Sequence, residues 1–374
     1  MYYKLISKMV HFRIVTVAIL CLGMPVVLYS IYWYAFAENL KENITSFLLD
    51  QVREGVDVSF EQIEVVGYPT TFRIIMSSPS LAAKSVFQSH LGVSWRWKGA
   101  RAIAEVKPWN FNKVSLNLSG DHEVLIDTFK GHHEYTGSIA GLIVDLGLHE
   151  DGMPATARLF GTDLEFTYGD TKNTFSTKKF RLMAERLFSD NFSSKIPSLN
   201  IQFDLEELNF DGTGALPLGD VIKLLSTRIK VFGKIRSPFD ILSLKNWSGD
   251  GGIIEFESID GDYGPIEFYA NGTLTLDDKL QILAAFSTKV RGINVAIDRL
   301  TQAQIIQPSD AAMAKIFLSI FSKNLSDNGS PFVILPLNIQ NGQLRIHHVK
   351  LLNIPKIEWF KTLKIDDSLG FVEE

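Results

Sequence analysis

The chain has 374 residues, of which 46% are hydrophobic and 21% are charged, and its formal net charge is −5 at pH 7. This apolar share is large enough to bury a core, so the composition excludes an intrinsically disordered chain. The acidic balance argues against wholesale nucleic-acid binding, because affinity for phosphates comes mainly from Lys and Arg. The single cysteine excludes an intramolecular disulfide and every zinc or iron–sulfur site built from clustered thiolates.

The first predicted element is a membrane anchor. Residues 14–36 form an apolar run of 23 residues that contains no Asp, Glu, Lys or Arg. About 20 apolar residues are enough to span a bilayer. Lys4, Lys8 and Arg13 precede the run. Because positive charges stay on the cytoplasmic side, we predict a single-pass protein with a cytoplasmic N-terminus and an exported bulk.

This interpretation divides the chain into a cytoplasmic tip with the anchor, residues 1–37, and an exported region, residues 38–374. One alternative is open, since Ala35-Phe36-Ala37 resembles a signal-peptidase site and cleavage after Ala37 would release the exported region. The apolar run is longer than the usual core of a signal peptide, which favours a retained anchor.

The apolar pattern changes after the anchor. Leu40, Ile44 and Phe47 follow helical spacing and predict an amphipathic helix over residues 38–54. Beyond it the apolar period becomes two, which is typical of strands with one apolar and one solvated face. No long helical segment clearly separates these strands before residue 215, so we predict an antiparallel, meandering sheet. The alternating segments are 72–76, 93–97, 114–118, 142–148, 164–168 and 199–205.

Helical spacing returns in the second half. Leu218, Val221, Ile222 and Leu225 predict a helix, and its position suggests a subdivision of the exported region near residue 215.

Two later helices and a hairpin are also predicted. The first helix carries Ile293, Ala296, Ile297 and Leu300, and the second is capped by Ser309 with Met313, Ile316, Phe317 and Ile320 on its apolar face. Asn341-Gly342 between two alternating segments predicts a hairpin. The predicted fold class is therefore α+β and β-rich, a curved antiparallel meandering sheet with helices mainly in the second half, after one N-terminal membrane helix.

Motifs for catalysis or cofactor binding are missing from the sequence. The serine-hydrolase G-x-S-x-G, the P-loop, G-x-G-x-x-G and H-E-x-x-H do not occur. We therefore expect no enzymatic activity, no catalytic residues and no cofactor.

Histidine pairs are the best remaining metal candidates, at His132-His133 and His347-His348. Neighbouring side chains on a strand point to opposite faces, so one pair cannot chelate from one face, and we expect no metal site.

The segment Trp95-Arg96-Trp97-Lys98 alternates aromatic and basic residues. Such alternation suits single-stranded nucleic acid, lipid headgroups, or a strand that buries both Trp side chains. The net acidity and the predicted export favour packing, so we expect no nucleic-acid partner.

A family resemblance follows from motifs in the first half, with Val66-Gly67-Tyr68-Pro69, Phe72-Arg73-Ile74 and Ser78-Pro79-Ser80-Leu81 followed by Trp95 and Pro108-Trp109. The chain resembles a membrane-anchored bacterial family of the DUF2125 type and is distantly similar to the AsmA-like group. This resemblance implies a place in the bacterial inner membrane, with the bulk in the periplasm, and a link to envelope lipid homeostasis. Larger AsmA-like relatives form lipid-carrying β-grooves. Fold-level analogy supplies no catalytic residues.

Two functions follow as expectations, and an enzyme of an unfamiliar kind is a third, less favoured alternative. The first is a membrane-anchored envelope scaffold or interaction module with a protein partner. The second is a lipid-binding protein whose apolar sheet face holds acyl chains of phospholipid. Helices of the second half could instead cover that face and form an ordinary core, and alternation alone does not separate these cases. The candidate lipid-binding residues are Leu142, Val144, Leu146, Leu148, Leu164 and Phe166.

Overall fold

The fold was obtained as a computed structural model. It describes residues 2–53, 56–83, 94–128, 131–150, 152–169, 173–187, 196–211, 216–234, 241–323, 332–346 and 349–357. Side chains of the first helix are described for residues 22–48 and for residue 50.

The dominant feature is one open 20-stranded antiparallel sheet. Its first strands are β1 (Val56–Ser59), β2 (Gln62–Val66), β3 (Phe72–Ser77), β4 (Ser80–Ala83), β5 (Ser94–Gly99), β6 (Arg101–Lys107), β7 (Asn110–Asn117) and β8 (Gly120–Thr128). The long central strands are β9 (Gly131–Leu148), β10 (Pro154–Tyr168), β11 (Thr174–Arg186), β12 (Pro197–Asp211), β13 (Val221–Phe232), β14 (Ile253–Tyr263), β15 (Ile266–Leu276) and β16 (Ile282–Arg291). The last strands are β17 (Ser322–Lys323), β18 (Phe332–Gln340), β19 (Gln343–Ile346) and β20 (Val349–Asn353).

The sheet is a meander of long strands. Each of the pairs β1–β2, β3–β4, β5–β6 and β7–β8 is one long strand interrupted near its middle, because both halves pair in series with the same neighbour. The interrupted strands lead into β9, and the order then follows the chain through β10 to β16 and on to β18, β19 and β20. The predicted antiparallel, meandering, β-rich architecture is confirmed.

The two faces of the sheet differ in chemistry. On the outer face, cross-strand ion pairs join neighbouring strands, including Arg181 to Asp204 at 3.3 Å. On the inner face, apolar side chains pack in a cluster that includes Leu142, Leu159 and Phe180. An antiparallel sheet of this kind solvates one face and needs a cover for the other.

A crease crosses the long strands and exchanges their inner and outer positions. At this level two successive residues point outward, as the ion pairs of Lys178 with Glu207 (3.1 Å) and of Lys179 with Glu206 (3.4 Å) demonstrate. Asp163 and Glu207 adopt the left-handed backbone conformation there, with φ of 48° and 53°. A left-handed residue turns the following side chains to the opposite face, so apolar residues of odd and even number share the inner face.

The crease explains one wrong prediction. The spacing of Ile222 and Leu225 indicated a helix, but these residues lie on strand β13, where they face Leu208 and Leu205 of β12. Lys223 and Leu224 stand between them at the crease and are exposed. The reversal therefore produces a spacing of three within a strand, which imitates a helical period. The sheet continues from β12 to β13, and the subdivision near residue 215 stays a prediction.

The helices are α1 (Tyr2–Arg53), α2 (Ile241–Gly249), α3 (Ile293–Gln302) and α4 (Pro308–Phe321). Helix α1 packs Trp33 and Ala37 against Phe72 of β3, and Trp33 stacks on Phe72 with ring centroids 5.1 Å apart. Among the helices with described side chains, none combines the length and the hydropathy needed to cross a membrane. Residues 14–21 of the predicted anchor lie outside those side chains.

Helices α3 and α4 cover the far end of the sheet, where Ile297 and Leu318 pack against Val333 and Leu335 of β18. Helix α3 and its buried face were predicted correctly, and so was the Asn341-Gly342 turn.

The predicted apolar face of α4 is wrong in part. Ala311, Ala314, Phe317 and Leu318 pack on the sheet, whereas Met313, Ile316 and Ile320 are 69%, 68% and 74% exposed. The apolar residues of α4 extend around the helix, so spacing alone did not identify the buried side.

The contact between α1 and β3 gives a first prediction. Phe72 is fully buried against Trp33, so Phe72→Ala should lower the free energy of unfolding by about 3–5 kcal/mol. Phe160→Ala is the matched control, because Phe160 lies on the outer face and is 37% exposed, and its cost should stay below about 1 kcal/mol. Denaturant unfolding of both variants measures the difference, and equal losses would contradict the packing.

Candidate functional site

The candidate site is the inner face of the sheet between β9 and β15. One row of paired residues crosses this face and contains only apolar side chains and glycine. We call it the Leu146 row; it consists of Leu146, Ala157, Ala184, Ile201, Ile229, Phe256, Gly272, Phe286, Leu337 and Ile346. Only its last member, Ile346, is fully buried, and the others are partly exposed.

The predicted residues all belong to this inner face. Leu142 and Phe166 are buried in one cluster, with Leu164 packed against it. Val144, Leu146 and Leu148 are half-buried. The structure thus brings the predicted residues onto one surface, and their role in lipid binding stays a prediction.

Sequence reasoning missed most of the inner face beyond β10. Val144 lies opposite Leu159, Leu159 lies opposite Leu182, and Leu182 lies opposite Phe203. Leu182 is 39% exposed although it points to the inner side. Each strand shows apolar alternation in its sequence, but the crease changes which positions face inward. Inward-facing residues of different strands therefore could not be matched without knowing how the strands pair.

Glycines opposite phenylalanines make the floor of this face flat. The ring of Phe180 lies over Gly161, where an added Cβ would come within 1.8 Å of Cε1. The ring of Phe268 lies over Gly261 in the same way, at 2.1 Å. Rings that lie along the sheet occupy less height than rings that stand on it. The inner face is therefore lined in part by aromatic rings that lie along the sheet.

In the part of the chain that the structure describes, helices cover the inner face at its two ends. Helix α1 packs on β2 and β3 through Val65 and Phe72, and α3 with α4 packs on β18 and β19. Helix α2 sits beyond the strand ends, where Trp247 Nε1 donates a hydrogen bond to the Phe232 carbonyl at 2.8 Å. Within the described residues, the helix–sheet clusters include no side chain of β9 to β15. We call the partly exposed stretch of the inner face between these two covered ends the apolar trough.

A buried histidine lies on the inner face, on strand β8. His122 is 4% exposed and stacks between Trp97 and Phe166, with ring centroids 5.9 and 6.4 Å away. Trp97 Nε1 donates a hydrogen bond to His122 Nδ1 at 3.2 Å. This bond requires a neutral imidazole with its proton on Nε2, which has no hydrogen-bond partner among the described residues. No sequence motif marked His122.

The environment of His122 disfavours its charged form. Burial lowers the pKa of His122 below its ordinary value of 6.5, and the nearby Leu118 carbonyl and Asp121 carboxylate oppose this shift only in part. Protonation would also remove the acceptor for Trp97.

The lowered pKa of His122 predicts a pH dependence of stability. Its folded pKa lies below the unfolded one, so its contribution is complete above about pH 6.5 and is lost as the pH falls through the folded pKa. The free energy of unfolding should therefore fall between pH 7 and pH 5 by more in the native chain than in a His122→Gln variant, which keeps an acceptor but does not titrate. Parallel pH curves would contradict the assignment.

A largely polar cavity lies on the outer face. This cavity of about 980 Å³ lies beside the crease, lined by groups that include Lys98, Glu123, Thr136 and Glu165. In the described part of the chain, no three His, Cys, Asp or Glu side chains come together as a metal site.

The histidine pairs form no common site where they can be followed. His132 contacts Asp127, and His133 Nδ1 lies 3.0 Å from the Tyr168 hydroxyl. His347 and His348 lie outside the described residues.

Comparisons with known proteins identify a family but no activity. The sequence model of a family described as uncharacterised proteins conserved in bacteria, DUF2125, matches residues 33–355. No curated protein matches the chain, and no solved structure does.

Proposed function

Because the chain belongs to the DUF2125 family of bacterial proteins, for which no activity is described, we propose from its own geometry that it holds acyl chains of phospholipid in the apolar trough. The observation that supports this proposal is the Leu146 row, which runs from β9 to β19 without a polar side chain and is covered only at its end.

Energetics favour an apolar ligand on this surface. Monomeric soluble proteins rarely leave a contiguous apolar patch of this kind in water. Burying acyl chains contributes about 0.8 kcal/mol per CH₂ group, so ten such groups would contribute about 8 kcal/mol before the cost of ordering the chain. The charged outer face, with ion pairs such as Lys179 to Glu206, keeps the opposite side in water.

We also propose that α1 holds the protein in the bacterial inner membrane, with the N-terminus in the cytoplasm and the sheet in the periplasm. The apolar run of residues 14–36 and the preceding Lys4, Lys8 and Arg13 support this proposal. Retention of the anchor is favoured by Trp33 and Ala37, because cleavage after Ala37 would remove both from the cluster with Phe72. Similarity to the AsmA-like group stays a prediction.

A scaffold function, the first expectation from the sequence, is here the second candidate. The observation that favours it is the exposed stripe of Met313, Ile316 and Ile320 on α4, at the end of the sheet away from α1. A stripe of this kind suits a protein partner in the envelope.

Trough occupancy can be tested with a matched pair of substitutions. Leu182 and Phe160 are 39% and 37% exposed, but they point to opposite faces of the sheet. Leu182→Glu puts a charge against hydrocarbon and should reduce the bound phospholipid at least about tenfold, because such burial costs several kcal/mol. Phe160→Glu should leave bound phospholipid unchanged. Mass spectrometry of the full chain, purified with extensive detergent washing, measures the phospholipid per protein.

The pair of variants distinguishes phospholipid bound in the trough from phospholipid bound around α1, because both variants keep α1 unchanged. Phospholipid that is lost from Leu182→Glu alone, in a protein that keeps its circular dichroism, supports the proposal. Native protein without phospholipid, or equal amounts in both variants, would reject it. If a defined envelope protein then crosslinks to Met313 or Ile316, the scaffold function takes its place.

A further inference from the structure

The junction between α1 and the sheet carries a cluster of aromatic side chains. Tyr29 donates its hydroxyl hydrogen to the Pro69 carbonyl, and the hydroxyls of Ser30 and Tyr68 lie 2.6 Å apart. Trp33 lies four residues after Tyr29 on α1 and stacks on Phe72. The sheet therefore packs directly against the last turns of the apolar run of α1.

Two turns of the sheet lie beside this junction. One turn joins β2 to β3 and the other joins β6 to β7. Both turns lie at the same ends of the strands, because Phe72 at the start of β3 is paired with Val106 near the end of β6. They present Tyr68 and Trp109, and Phe111 follows the second turn on β7. These three side chains are 39%, 66% and 40% exposed.

These side chains join α1 in one surface. Tyr34 stacks on Tyr68 with ring centroids 5.5 Å apart, and Phe36 contacts Phe111 at 5.2 Å. Tyr32 and Tyr34 are themselves 45% and 61% exposed. We call this surface the aromatic collar, and its exposed members are Tyr32, Tyr34, Tyr68, Trp109 and Phe111.

The part of α1 that leads into the collar identifies its surroundings. Leu22, Met24, Val27 and Leu28 are each more than half exposed, and they point in different directions around the helix. A partner helix or a second copy covers one stripe of a helix, whereas a helix that is apolar all round requires an apolar medium on every side. Lipid meets that requirement, and the collar continues directly from this segment.

From this continuity we infer that the aromatic collar lies in the headgroup layer of the membrane that holds α1. Tyr and Trp rings favour that layer because one edge is polar and the ring is apolar. The trough then begins at the membrane surface, since Phe72 and Ile74 belong to its inner face. This inference rests on the membrane anchor of the proposed function and adds a second contact with the bilayer.

The experiment measures the distance of single positions from the lipid headgroups. The full chain is prepared with Cys21→Ser, so that a single new cysteine carries an environment-sensitive nitrobenzoxadiazole label. Trp109→Cys and Thr70→Cys report on the two turns of the collar, and both positions are exposed. Lys279→Cys is the control, because Lys279 is exposed in the turn between β15 and β16, at the same end of the strands but far along the sheet.

Each labelled protein is inserted into vesicles of phosphatidylethanolamine and phosphatidylglycerol that contain a headgroup-nitroxide lipid. Nitroxide quenches only nearby fluorophores, so the labels at positions 109 and 70 should be quenched at least about threefold more strongly than the label at position 279. Equal, weak quenching at all three positions would overturn the inference. A label at position 109 that is unquenched in vesicles but shifts its emission with protein concentration in detergent would also overturn it, in favour of a second copy.

The same preparations separate this inference from the proposed function. Phospholipid retained in the trough with an unquenched collar would reject the collar contact alone. A strongly quenched collar on a protein whose trough binds no lipid would reject the trough and keep the collar.

Discussion

The structure depends on one constraint, which is that a very long antiparallel sheet has an apolar face that the described helices cover at its two ends and leave partly exposed between them. Its charged outer face, illustrated by the pair Lys178–Glu207, belongs in water. Helices cover the inner face where Phe72 lies at one end and where Leu335 lies at the other. Between these ends many apolar side chains of the inner face are partly exposed, and this exposure is the reason we propose a lipid ligand.

The crease lets the sheet keep that apolar face on one side. Long strands carry their apolar residues at odd positions on one side of the crease and at even positions on the other, as with Ile139 and Leu142 in a single cluster. Residues such as Asp163 and Glu207 make this possible by adopting a left-handed backbone conformation, which costs about 1 kcal/mol or more in a residue other than glycine. The outward pairs of charges at the crease give these positions a solvated surface.

Much of the architecture could be predicted from the sequence, because period-two alternation reports directly on a half-covered strand. Alternation predicted the β-rich meander and placed Val144 and Leu146 on one face. The helical prediction around Ile222 failed at the crease, where a reversal of face within a strand has no signature in local propensity. The buried face of α4 was predicted only in part, since Ile316 and Phe317 are both apolar and only the tertiary packing distinguishes them. His122 could not be found because its environment comes from Trp97 and Phe166, which are distant in the chain.

The central claim is that lipid occupies the inner face and not the outer one, and photo-crosslinking inside living cells tests this most directly. A benzoylphenylalanine residue in place of Phe203 or Phe256 reports on the inner face, and one in place of Phe160 or Tyr269 reports on the outer face. After irradiation, intact-mass measurement of the full chain should find adducts with the mass of phospholipid at the two inner positions and none at the two outer positions. Adducts that are absent from the inner positions, or equally abundant on both faces, would contradict a lipid-holding trough.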